Sequence, residues 1–319
     1  MSAPTPTLPR QDSKPAKASV RLGDRVFAGV STGAGIVILI VLAAVTVFLV
    51  TEAVPALTAD PRELPGGTGL VDYIAPLLFG TVLAAVLALL LATPLSIGIA
   101  LFISHYADRR LARSLGYVID LLAAIPSIIY GAWGALVLAP YLVPSYQWLA
   151  EHASFLPVFA GPASSTGRTI LTAGIVLAVM ILPIITAICR EIFLQTPLLH
   201  EEAALALGAT RWEMIRMAVL PFGLPGIISA SMLGLGRALG ETMAVAMVLS
   251  PSSEVIFQLL TSQNSNTIAS NIALNFPEAH GVGVNILLAT GLMLFVVTLL
   301  VNMLARVIIN SRKAFSGAN

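Results

Sequence analysis

Arg237 and Glu241 stand four residues apart inside an otherwise apolar run. On a continuous helix that spacing puts both side chains on one face. An arginine in a bilayer costs at least ~2.5–3.5 kcal/mol on insertion scales, so something must compensate it. Two uses of the pair stay open. One is an ion pair that only offsets its own burial, although two apolar residues would meet a purely structural need more cheaply. The other is a polar gate or weak anion site, since a guanidinium binds two oxygens of an oxyanion in bidentate fashion. Gly236 and Gly240 flank the pair as a small-xxx-small strip that lets another helix approach closely. That helix belongs either to this chain's own bundle or to a second subunit.

A second constellation lies upstream, at Glu202-Ala203-Ala204-Leu205-Ala206-Leu207-Gly208. Thr196-Pro197 reads as a helix start, with a hydroxyl cap followed by proline at the first helical position. Gly208 is the expected left-handed stop. Thr210-Arg211-Trp212-Glu213 restarts a helix with a capping-box pattern, and Pro221 ends it. Residues 197–220 are thus expected to form two short helices around a sharp glycine turn. The small side chains of Ala203, Ala204 and Ala206 suit close entry into a groove on a partner protein. A helix resting on lipid headgroups fits the same pattern.

The elements that must position these residues follow from composition. Hydrophobic residues make up 57% of the 319 and charged residues only 10%, against roughly 25% charge in a soluble domain. The chain reads as an all-α integral membrane protein. Six apolar runs reach the ~20 residues needed to cross the hydrocarbon core, near 26–50, 74–104, 115–139, 170–190, 222–250 and 284–309. Residues 1–25, rich in Pro, Ser and Lys, read as a disordered tail, and 26–50 as a retained first membrane helix, since no small-residue cleavage site follows it. Residues 51–73 read as an outer loop, 74–309 as the core, and 310–319 as a second tail. Loops at 140–169 and 251–283 also fall outside, the former carrying Tyr141, Tyr146 and Trp148 as interfacial candidates.

Most of the 17 basic residues fall on one side of these spans, including Arg10, Lys14, Lys17, Arg109, Arg110, Arg113, Arg190, Arg211, Arg216 and Arg306. Excess Lys and Arg mark the cytoplasmic face, so both termini are expected inside. Cys189 is the only cysteine, which excludes an internal disulfide or a cysteine-based metal cluster. No metal-ligand spacing, cofactor motif or nucleophile cluster appears. The lysines, at 14, 17 and 313, fit no phosphate-binding loop, so any ATP must be handled by another polypeptide. Nothing points to nucleic acid.

The Glu-Ala-Ala stretch, Gly208 and Leu220-Pro221 resemble the EAA loop of ABC importer permeases. Ala218 stands where that pattern has a larger hydrophobic residue two places before Leu-Pro. Further segments are similar to PstC-type permeases of phosphate-specific ABC importers. They are Gly80-Thr81, Thr93-Pro94-Leu95-Ser96, Ala124-Ile125-Pro126-Ser127-Ile128-Ile129-Tyr130-Gly131, Thr267-Ile268-Ala269, Asn275-Phe276 and, most specifically, the run from Gly234 to Ala244. His105 stands where those relatives often carry Glu, so no role is assigned to it; Asp120, near the inner edge of a span, is assigned none either.

The resemblance implies a type I ABC importer permease fold in a bacterial inner membrane. It implies a channel-forming subunit of an ATP-driven inorganic phosphate importer, not itself an enzyme. Its implied partners are a second permease (PstA-like), two ATPase subunits (PstB-like) and an extracytoplasmic phosphate-binding protein (PstS-like), with membrane lipid around it. Glu202, Ala203, Ala204 and Gly208 would couple to the ATPase, and Arg237 and Glu241 would line the phosphate path. There the Glu carboxylate could accept the proton that hydrogen phosphate carries and sulfate lacks. A permease for sulfate, molybdate or phosphonate is the alternative. A secondary transporter would show broken helices and inverted repeats, which are not seen. A membrane enzyme built on an isolated Arg–Glu pair would lack a nucleophile.

Overall fold

The computed structural model describes residues 22–60, 67, 69–250, 252 and 254–313. Most of the expected N-terminal tail therefore lies outside the described residues. The chain divides between Phe48 and Leu49 into two units. Helix α1 runs Leu22–Thr58, so it starts within the expected tail and extends into the expected outer loop. Its apolar side chains in the first unit, such as Ile38, Leu39 and Leu42, are exposed, as suits a lipid-facing helix.

The second unit carries the other elements. They are α2 (Leu70–Leu101), α3 (Arg109–Ala123), α4 (Ser127–Trp133), α5 (Ala139–His152), α6 (Ile170–Leu194), α7 (Leu198–Ala206), α8 (Arg211–Met214), α9 (Leu220–Leu239), α10 (Met243–Val248), α11 (Ile268–Asn275) and α12 (Val282–Lys313). Single π-turns at Phe102–Tyr106, Gly134–Leu138 and Ile215–Val219 extend α2, join α4 to α5 and join α8 to α9. Among the described residues six helical stretches are long and apolar enough to cross a membrane: Leu22–Thr58, Leu70–Tyr106, Ser127–His152, Ile170–Leu194, Arg211–Leu239 and Val282–Ile309.

Two of these spans sit elsewhere than the apolar runs indicate. The run 115–139 divides at Ala124–Pro126, where the proline has no N–H to continue a helix. Its first part belongs to α3, started by the Asp108 carboxylate accepting from the N–H groups of Arg110 and Leu111 at 2.9 Å. The span itself is Ser127–His152, so the first part of the expected loop 140–169, up to His152, is helix. Tyr146 is accordingly not interfacial: it is 2% exposed and its hydroxyl lies 2.7 Å from Thr172 Oγ1. The run 222–250 likewise gives way to Arg211–Leu239. Pro221 does not end a helix there; the π-turn directly before it accommodates the missing N–H, and the helix continues.

α6 is the central helix of the core. The fully buried Ala84, Ala88 and Ala92 of α2 pack against its Ala173, Val176, Leu177 and Ile181. Small residues set the spacing, because without a water-driven force between helices in lipid, close van der Waals contact must hold them. A β-carbon on Gly174 would come within 2.8 Å of Leu87 Cβ, and one on Gly234 within 2.8 Å of Ile185 Cδ1. A polar stitch adds to this, Ser96 Oγ donating to the Leu182 carbonyl at 3.0 Å.

The segment before α11 is held by buried polar side chains. The Ile268 N–H donates to Thr81 Oγ1 at 2.9 Å, and Gly80 leaves room for the Asn266 carbonyl. Asn264 Oδ1 accepts from the Ile170 N–H at 2.9 Å, while its Nδ2 donates to the Gln258 carbonyl at 2.7 Å. Gly80-Thr81 and Thr267-Ile268-Ala269, far apart in sequence, thus meet in one buried seam.

Candidate functional site

α9 stops at Leu239 and α10 begins at Met243, so Arg237 and Glu241 do not share a continuous helix. Among the described residues no ion pair joins them. The Glu241 side chain turns forward instead: Oε1 accepts from the Ala244 N–H at 3.1 Å, and the residue is only 8% exposed. A carboxylate there satisfies one of the orphan donors in the first turn of α10 and faces the positive end of its dipole. Of the two readings left open for these residues, the ion pair is therefore not the one the structure holds.

Arg237 occupies the last turn of α9, some ~39 Å along the helix from Arg211 at 1.5 Å per residue. It sits at the far end of the span Arg211–Leu239. The free carbonyls of that last turn favour a cation, which supplies part of the compensation first sought in Glu241. The guanidinium is exposed and lines an open cavity of about 560 Å³ with Ile184, Ser229, Met232, Leu233, Gly236 and Asn302. On α4 the Tyr130 hydroxyl donates to the Leu122 carbonyl at 2.8 Å. α4 in turn lies directly on α10: a β-carbon on Gly131 would come within 2.6 Å of Ala244 Cα. The guanidinium, the buried carboxylate and the Tyr130-Gly131 segment therefore converge on one break between α9 and α10.

Gly236 and Gly240 differ from their buried neighbour Gly234. No heavy atom lies within 4 Å of a β-carbon placed on Gly236, and Gly240 meets only the Gly236 carbonyl at 3.6 Å. Among the described residues nothing packs against a β-carbon placed on Gly236. Ser229 and Asn302 were missed by the sequence reading, though each is a polar residue in an apolar run, the same signal that picked out Arg237.

The Glu202 region forms α7, and its stop is a Schellman turn. Gly208 has φ +87°, its N–H donates to the Leu205 carbonyl at 2.9 Å, and the Ala209 N–H donates to the Ala204 carbonyl at 3.2 Å. Thr210 and Glu213 form the reciprocal capping box that opens α8. Thr196 does not cap α7: Pro197 holds the N-cap position, and Thr196 Oγ1 is buried without a hydrogen-bond partner. Glu202, Ala203 and Gly208 are exposed and Ala204 is half-buried. Around them Leu198, Leu199 and Leu207 are exposed too, the last at 90%, leaving an apolar surface large for its helix.

His105, given no role by the sequence, reaches this element. Its Nε2 lies 3.5 Å from Glu201 Oε1 and its Nδ1 lies 2.7 Å from Ser104 Oγ. The end of α2 is thereby tied to the start of α7.

Known proteins place this geometry. The family described as binding-protein-dependent transport system inner membrane component matches residues 92–313. The phosphate transport system permease protein PstC 2 of Mycobacterium tuberculosis is 44% identical, with 95% of each chain covered. The PstC of Mesorhizobium japonicum is 38% identical over the whole of both chains. Among solved structures, a bacterial alginate ABC transporter in complex with an alginate-bound periplasmic protein aligns with TM-score 0.58 at 17% identity, covering 94% of this chain and 99% of that one. The MetNI methionine ABC transporter in an inward-facing conformation aligns with TM-score 0.52 at 16% identity, covering 76% and 95%. At those identities the likeness is one of fold, and the fold is that of an ABC importer permease. With the family matched over residues 92–313 and PstC permeases 38–44% identical across nearly all of it, the chain belongs to the binding-protein-dependent transport system inner membrane component family, on its PstC-type branch.

Proposed function

We propose that this chain is a membrane-spanning subunit of an ATP-driven importer of inorganic phosphate. The observation that carries the substrate is the 44% identity to a phosphate permease across 95% of both chains. The geometry agrees with it. An arginine with no carboxylate partner among the described residues faces an open cavity, and its neighbour Glu241 is held by a backbone N–H rather than by the arginine. A guanidinium so placed can hold phosphate oxygens in bidentate fashion while binding weakly enough for the ion to leave.

In this reading a PstS-like binding protein delivers phosphate to the outer loops of this chain and a PstA-like permease, which covers the Gly236–Gly240 strip. Two PstB-like ATPases grip the α7 turn through Glu202, Ala203, Ala204 and Gly208, and their closure on ATP opens the path outward. Both termini lie inside, as the distribution of basic residues supports. The bacterial plasma membrane is the site of action. The test is ATP-dependent uptake of radiolabelled phosphate into proteoliposomes holding all four kinds of subunit. Arg237→Gln should assemble normally and lower uptake by roughly tenfold or more, the order of one lost charged contact. Normal uptake by this variant would remove Arg237 from the path.

A further inference from the structure

A second cavity of about 560 Å³ opens between α3 and the ends of α2 and α6, and three guanidiniums line it: Arg109, Arg113 and Arg190. Arg109 and Arg113 stand one helical turn apart on α3, a like-charge spacing that destabilises a helix unless an anion bridges it. Arg190 enters from α6. It can do so because Gly116 has no side chain: its Nη1 occupies the place of a β-carbon there. Arg190 Nη2 donates to Glu191 Oε1 at 2.7 Å, and no other acceptor is seen for this half-buried guanidinium among the described residues.

The acids on the rim are Glu191 and Asp120. Three cations face two carboxylates, which leaves one positive charge for a ligand to neutralise. The rim also carries exposed Tyr117, and the same helix exposes Leu111, Val118 and Leu121. Basic and apolar residues combined on one short helix suit the boundary between headgroups and acyl chains.

We propose that Arg109, Arg113 and Arg190 form a binding site for a phosphoryl monoanion, apart from the Arg237 cavity and independent of the phosphate path. A phosphodiester headgroup with no cation of its own carries the one negative charge that the cavity lacks, and its two free oxygens match the fork of a guanidinium; the choline of phosphatidylcholine cancels that charge. Free inorganic phosphate shares that chemistry, so the test must separate the two sources.

The permease complex, purified in mild detergent, is examined by native mass spectrometry with phosphatidylglycerol, phosphatidylcholine or inorganic phosphate as the probe. Phosphatidylglycerol should be retained roughly tenfold better than phosphatidylcholine. Arg109→Gln with Arg113→Gln should abolish that preference, Arg109→Lys with Arg113→Lys should keep much of it, and Arg211→Gln, away from the cavity, should leave it unchanged. Displacement of the lipid by millimolar inorganic phosphate would identify the free ion as the source and retain the site. Equal retention of the two lipids without phosphate binding, which needs no variant to observe, would overturn the proposal. So would an undiminished preference in the double Gln variant.

Discussion

For Glu241, a helix-capping role and the proposed part in phosphate passage are separated by a pair of substitutions. Its carboxylate accepts the Ala244 N–H in a site almost closed to solvent, so Glu241→Ala leaves a buried donor without a partner and should destabilise the chain by about 1–3 kcal/mol. Glu241→Gln keeps a carbonyl oxygen at the same place and should unfold at nearly the wild-type temperature. If the negative charge serves phosphate passage, Glu241→Gln will nonetheless transport poorly. Thermal unfolding of the purified chain, set beside uptake by the reconstituted importer, reads both. A Gln variant with full uptake would reduce Glu241 to a helix cap.

The α7 turn concentrates its conformational demand in one residue. Gly208 has φ +87° and open space where a β-carbon would stand, so Gly208→Ala suffers no clash and only the ~1–2 kcal/mol of a left-handed L-residue. Asn tolerates that region better. Stimulation of ATPase activity by loaded binding protein should therefore fall in Gly208→Ala and recover in part in Gly208→Asn. Equal stimulation in all three proteins would show that the turn transmits nothing. This turn was legible because capping chemistry is local: glycine, hydroxyl and carboxylate act within a few residues of one another. The number of spans was legible too, since apolar length alone marks them, although two of them are shifted along the chain from their apolar runs. What the sequence concealed were helix breaks that tertiary or capping bonds decide. Glu241 reads as part of an apolar helix until its carboxylate is seen on the Ala244 N–H, and Tyr146 reads as interfacial until Thr172 is found opposite its hydroxyl. His105 was unreadable for the same reason, as its partner Glu201 lies on another element.

At the scale of the whole molecule, two glycines on α9 distinguish what this chain packs for itself from what it leaves to a partner. A side chain on Gly234 would run into Ile185 of the central helix, whereas one on Gly236 would meet nothing. Gly234→Leu should overpack the core and cost about 1–3 kcal/mol in the isolated chain. Gly236→Leu should leave the isolated chain as stable as wild type, for it adds an apolar group to an open face. Should a second permease cover that face, the same leucine will hold the two helices apart and the assembled importer will be lost, or recovered only in small yield. Size-exclusion chromatography of the co-expressed subunits, alongside thermal unfolding of the chain alone, gives both readings. Full assembly with Gly236→Leu would mean that the partner helix crosses elsewhere and that the Gly236–Gly240 strip lines open space in the complex as it does in the single chain.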